Sequence, residues 1–257
     1  MPASAAIRLQ VETALAKRVP AALSLKIKQA PELFATGIAE VDAVLGGGIP
    51  RGSITEIAGA ASTGKTSLAL SIIAAITQSG AVCAWVDVND ALSPESAAAA
   101  NIALKRLLWL RMSADRKERV SDKPWSRLEQ ALKATDLLLQ AGGFAATVLD
   151  MSDVLPQHLM RIPLSTWYRF RLAAEQARTA LVFLTQSPCA SSCAALSLRS
   201  EPACVLPFRS EEEAALFMGQ RYWLMRERNR NEGTAFAPKK PSLRAEWCVE
   251  TLWSRVR

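Results

Sequence analysis

Two hydrophobic periods take turns along this chain, and the places where one gives way to the other mark its elements. Residues 36–45 show helical spacing and run into Gly46-Gly47-Gly48, a turn region that can approach another backbone closely. Residues 54–58 then predict a short strand and 66–79 an apolar helix. Residues 81–87 predict a buried strand, 94–104 a helix opened by Pro94, and 107–110 a further short strand. The best-marked amphipathic helix covers 125–140, with Leu128, Ala131, Leu132, Ala134 and Leu138 on one side. A strand over 146–149 ends at Asp150, a helix covers 164–180, and a strand over 181–185 ends at Gln186. Such alternation implies a largely parallel sheet covered on both faces. Beyond Gln186 the stretches 196–199, 222–226 and 245–249 read as strands without long helices between them. The expected class is α/β: a mostly parallel sheet flanked by helices, with antiparallel strands added at the C-terminal side.

Residues 1–33 are expected to form a separate N-terminal helical unit, because 5–16 has helical apolar spacing and Pro20 interrupts before a second apolar stretch. Residues 34–257 then make the core domain. Of 257 residues, 50% are apolar and 21% charged, which suits one sizeable core and argues against intrinsic disorder. No apolar run reaches the roughly 18 residues of a spanning helix, and the first residues lack the basic and apolar regions of a secretory signal. The five cysteines, scattered at 83, 189, 193, 204 and 248, read as reduced thiols, so the expected location is the cytoplasm, with no membrane partner. The 31 basic against 24 acidic residues leave a net charge of +7, which favours polyanionic partners. The surplus gathers in 105–127 and again in Arg221, Arg226, Arg228 and Arg230.

The chemistry-bearing motif is Gly59-Ala60-Ala61-Ser62-Thr63-Gly64-Lys65-Thr66, a G-x-x-x-x-G-K-[ST] loop between a predicted strand and a predicted helix. Glycines at both ends let the backbone curl until several N–H groups converge on one phosphate, at the positive end of the helix that follows. In such a loop Lys65 sets a cation on the β- and γ-phosphates and the Thr66 hydroxyl ligates Mg²⁺, so residues 59–67, Ser67 included, form the expected nucleotide-binding set. Asp150, ending an apolar strand, is the second expected Mg²⁺ residue, acting through a bound water. The expected cofactors are ATP and Mg²⁺.

Residues 36–70, TGIAEVDAVLGGGIPRGSITEIAGAASTGKTSLAL, resemble the opening of the RecA recombinase core, where a helix and a Gly-rich turn lead into the P-loop strand. Trp85-Val86-Asp87-Val88-Asn89-Asp90-Ala91-Leu92-Ser93-Pro94 resembles the strand and loop that carry that family's catalytic glutamate. Leu181-Val182-Phe183-Leu184-Thr185-Gln186 resembles its strand ending in the γ-phosphate sensor. The resemblance covers 35–230 and implies a RecA-like P-loop NTPase core, with catalytic roles for Lys65 and Gln186. Departures matter as much. Asn89 stands in place of the glutamate; a neutral amide can orient a water but cannot accept its proton, and such groups contribute about 10²–10⁴-fold. Asp90 is adjacent, but neighbouring residues of a strand face opposite ways. Ser96 replaces a tyrosine that stacks on adenine. The span from Asp150 to Gln186 is shorter than in the family, 187–193 stands where a longer DNA-binding loop is expected, and too few residues follow Arg228 for the family's C-terminal domain. In these respects the chain resembles ImuA, the RecA-like branch of bacterial inducible mutagenesis, while keeping a complete P-loop. Arg226 and Arg228 match a lysine pair that in RecA filaments reaches the neighbour's nucleotide, which implies head-to-tail self-association.

The resemblance implies an ATP-binding protein of DNA repair and SOS damage tolerance with weak or absent hydrolysis, at most a weak DNA-dependent ATPase. Its partners would be single-stranded DNA, a RecA filament or an error-prone translesion polymerase complex. The alternatives are an active DNA-dependent recombinase and an interaction adaptor whose nucleotide is structural. Smaller signals are weak. Cys189 and Cys193 read as ordinary thiols for want of further zinc ligands, and His158, the one histidine, as a loop residue. Trp167 and Tyr168, flanked by Arg161, Arg169 and Arg171, either stack on single-stranded DNA or pack a helix on the core.

Overall fold

The computed structural model describes residues 32–112, 124–207, 217–229 and 243–250. The chain divides between Ala30 and Pro31. The expected N-terminal helical unit and the middle of the first basic cluster lie outside the described residues. In chain order the elements are β1 (Leu33–Phe34), α1 (Ala39–Leu45), β2 (Ile49–Pro50), β3 (Ile54–Ala58), α2 (Lys65–Gln78), β4 (Cys83–Asp87), α3 (Pro94–Ala99) and β5 (Leu107–Arg111). They continue with α4 (Pro124–Ala141), β6 (Ala146–Asp150), α5 (Pro156–Leu159), α6 (Leu164–Ala177), β7 (Ala180–Thr185), β8 (Leu196–Pro207), β9 (Phe217–Asn229) and β10 (Leu243–Glu250).

Strands β3, β4, β6 and β7 bury every residue, which is what a parallel strand between two helical layers requires. The eight-stranded sheet runs β10-β9-β8-β3-β7-β6-β4-β5. Its members from β8 to β5 are parallel, while β9 and β10 add antiparallel. The expected α/β class is the observed one. Along β7, Val182 and Leu184 face one layer and Leu181 and Phe183 the other. On the first side α2 supplies Leu68, Ile72, Ile73 and Ile76. On the second, α4 and α6 supply Leu128, Trp167 and Phe170. Each such buried side chain contributes about 1.5–3 kcal/mol, so the sheet is held from both faces.

Where element ends differ from the sequence expectation, backbone geometry explains it. The helix expected over 94–104 stops at Ala99, because Asn101 turns to φ 67° and the chain resumes as a 3₁₀ turn at Leu104–Arg106. The helix expected to reach 180 stops at Ala177, because Arg178 adopts φ 54° and its N–H caps Ala174 O, freeing Ala180 for β7. Strands β8 and β9 run well beyond the expected 196–199 and 222–226, since each is extended by pairing with the other. His158 sits in the short helix α5 rather than in a loop. Trp167 is 1% exposed against Phe183, with ring centroids 5.0 Å apart, so it packs the core and cannot stack on a base. No helix among the described residues is long and apolar enough to cross a membrane.

Candidate functional site

Strand β3 delivers the chain to the carboxyl end of the sheet, where the 59–66 loop turns back into α2. Two close approaches explain its glycines. A Cβ on Gly59 would lie 2.4 Å from Ser200 O, and one on Gly64, at φ +80°, would lie 2.8 Å from the Tyr222 ring. The loop is braced from several sides. Gly59 N donates to Thr185 O (3.1 Å), Thr63 Oγ1 to Ala60 O (2.9 Å), and Ser200 Oγ to Thr63 O (2.6 Å). Tyr222, packed on Trp247 with centroids 5.0 Å apart, holds the start of α2 from the antiparallel side.

A cavity of about 260 Å³ opens there, lined by residues 61–67 together with Ala91, Asp150, Ser152, Asp153 and Tyr222. Lys65 is buried, and its ammonium donates to Gly59 O (2.5 Å) and Ala60 O (2.7 Å). Burial lowers its pKa, an effect opposed by the carboxylates of Asp150 and Asp153. Asp150, 6% exposed, accepts from Ser152 N at 3.0 Å. Burial pushes its carboxyl up to about 6; Ser152 counters this, and Asp87 and Asp153 add to it. A carboxylate that burial makes reluctant to ionise, beside an exposed Thr66 hydroxyl, is a donor set suited to a hard divalent cation. The Lys65 ammonium, bonded to loop carbonyls on the cavity wall, is a cation placed to pair with an anion. These residues fit a magnesium-bound polyphosphate.

The structure thus brings Lys65, Thr66, Ser67 and Asp150 to one cavity and does not bring every expected residue there. Asn89 and Gln186 follow β4 and β7, half-buried, and neither lines it. Strand β4 ends at Asp87, so the alternation expected to separate Asn89 from Asp90 does not apply. Asp90 instead adopts φ 59° and pairs with Arg111 at 2.5 Å. Ser96 lies in the first turn of α3, where its N–H donates to Ser93 Oγ. Arg226, 8% exposed, belongs to β9, an interior strand flanked by β8 and β10. Arg228 donates to Ser191 O and Ala194 O, and lines a second cavity of about 220 Å³ with Glu56, Pro188 and Glu227. Buried Glu56 accepts from Cys189 N (2.6 Å) and Ala190 N (3.0 Å), so the segment after Gln186 is pinned from two directions. Burial and Glu56 raise the Cys189 thiol pKa, and no metal-holding cluster occurs among the described residues. Sequence reasoning missed Tyr222, Ser200 and Asp153. Asp153, three residues past Asp150, was readable; the other two depend on strand pairing.

The sheet and this loop define an α/β protein of the P-loop class, with its cavity at the carboxyl ends of parallel strands. A family model described as the RecA N-terminal domain matches residues 4–160, and the chain belongs to the RecA family. It is 32% identical over 192 residues to Protein RecA of Deinococcus radiodurans, covering 69% of this chain and 49% of that one. Identity to Protein RecA of Pseudomonas fluorescens is 36% over 142 residues, 55% of this chain and 37% of that one. With Protein RecA of Caulobacter vibrioides it is 31% over 192 residues, 69% and 50% of the two chains. The chain spans about half the length of the curated relatives it matches.

Proposed function

We propose that this protein binds ATP with Mg²⁺ and serves DNA repair and SOS damage tolerance as a member of an ImuA-like branch, hydrolysing ATP weakly or not at all. One observation carries the reading: Lys65, Thr66 and Asp150 share the cavity, while the end of β4 offers no free carboxylate to it. Residues 61–67 would cradle the polyphosphate, with Lys65 moving from the carbonyls of Gly59 and Ala60 to the β- and γ-phosphates. Thr66 and Asp150 would hold Mg²⁺, which neutralises charge on the phosphates. Without a carboxylate at Asn89, attack by water lacks a proton acceptor there. Single-stranded DNA, a RecA filament or an error-prone polymerase complex are the partners this reading implies. Head-to-tail self-association through Arg226 and Arg228 would require Arg228 to leave Ser191 and Ala194.

The test is ATP-analogue binding together with ATPase activity, with and without single-stranded DNA. Saturable binding, lost by at least about 100-fold in Lys65→Ala, with little DNA-stimulated turnover, is the expected result. Robust DNA-stimulated hydrolysis would favour the second reading, an active DNA-dependent ATPase. Asp153 gives that reading its own support, as a carboxylate on the cavity that could replace the missing glutamate. In that case Asp153→Asn would abolish turnover while leaving binding intact.

A further inference from the structure

Among the described residues, the outer face of α6 is apolar and exposed. Leu164, Tyr168 and Leu172, four residues apart and so on one face, are 54%, 50% and 44% exposed. Trp167, Phe170 and Ala174 fill the opposite face into the core. Ahead of this helix, at the two ends of α5, Met160 is 84% exposed and Leu155 50%. Half of the ten large apolar side chains exposed among the described residues therefore fall within 155–172. Single exposed apolar residues are ordinary on a protein surface, whereas a contiguous run marks a contact site.

Charge narrows the occupant. Arg171 lies over the Tyr168 ring, 4.7 Å from its centroid, and Arg161 is exposed. Neither has a carboxylate partner among the described residues, whereas Arg169 pairs with Asp136 and Arg178 with Glu32. We propose that this face docks a short amphipathic segment of another protein, with aliphatic or aromatic side chains at helical spacing and carboxylates beside them. The aliphatic residues seat on Leu164, Tyr168 and Leu172, and the carboxylates pair with Arg161 and Arg171. Nucleic acid fits less well. Stacking platforms use successive aromatic rings, and this stripe has one ring among aliphatic side chains, with exposed Glu175 a turn beyond Leu172. A two-fold contact with a second copy would oppose like-charged arginines.

The probe is a synthetic fluorescein-labelled helix with leucines at i, i+4 and i+7 and glutamates at the flanking positions, titrated with the full chain and read by polarisation. Saturable binding is expected. It should weaken at least about tenfold in the double variant Leu164→Ser with Leu172→Ser, and comparably in Arg161→Glu with Arg171→Glu. Both variants should stay folded, with the parent's circular dichroism spectrum and affinity for ATP analogue, which separates this proposal from the P-loop reading. A peptide with lysines for glutamates should not bind. No saturable binding up to about 1 mM would overturn the proposal. So would loss, in the serine variant, of dT-oligonucleotide binding or self-association while peptide affinity stays unchanged.

Discussion

Strands β4 and β6 lie side by side and place a carboxylate in the same row, Asp87 opposite Asp150, yet the two ends have opposite fates. Asp87 is consumed: it accepts from Ala91 N (3.0 Å), Leu92 N (2.9 Å) and Trp109 Nε1 (3.2 Å). The turn it ties down is closed further by Asp90 paired with Arg111, whose guanidinium lies 4.8 Å from the Trp109 centroid. Asp150 has the Ser152 amide and faces the cavity with Lys65, and burial leaves it with a raised pKa. The comparison teaches that buried charge is scaffold where hydrogen bonds satisfy it, and chemistry where they do not.

Substitution at Asp87 should have the largest effect. Asp87→Ala leaves two backbone amides and an indole N–H without their acceptor, which is expected to cost about 4 kcal/mol in urea unfolding. A loss below about 1 kcal/mol would erase the distinction between the two ends. Asp150→Asn should act in the other direction in metal-free protein. A carboxyl raised from 3.8 to about 6 contributes stability that is whole below pH 3.8 and lost as pH rises through 6. The parent should therefore give up about 3 kcal/mol relative to the Asn variant between pH 4 and pH 8, leaving the variant more stable at neutral pH. Unfolding midpoints of both proteins in chelator across that range check this, and a parent that gains on the variant with rising pH would refute it. The same variant should lose magnesium-dependent nucleotide affinity. Asp90→Asn, which removes an exposed ion pair but keeps a side chain that tolerates the φ of 59°, should leave the unfolding midpoint unmoved in moderate salt.

Much of this protein was legible before its structure. The glycine–lysine loop announces itself because its conformation depends on local backbone freedom, and Asp150 because an apolar strand leads to it. Strands β3, β4, β6 and β7 were readable within a residue or two, since continuous burial leaves a continuous apolar run. Trp167 was ambiguous because an aromatic residue between arginines suits either a core or a nucleic-acid surface, and only the packing of α6 on Phe183 turned it inward. Arg226 was expected to reach a neighbour's nucleotide, but β10 pairs Leu243 against it and leaves it 8% exposed.

The order of amino acids by itself determined the layered α/β class, the glycine–lysine loop between a strand and a helix, and the absence of a glutamate at Asn89, because each rests on neighbours in the chain. Tertiary structure decided which of two equivalent carboxylates stays available, that Tyr222 seals against Gly64, and that Glu56 and Arg228 pin the segment after Gln186. Those outcomes depend on strand register and burial between residues scores of positions apart, where the free energy of a charge is set by surroundings that no local pattern encodes.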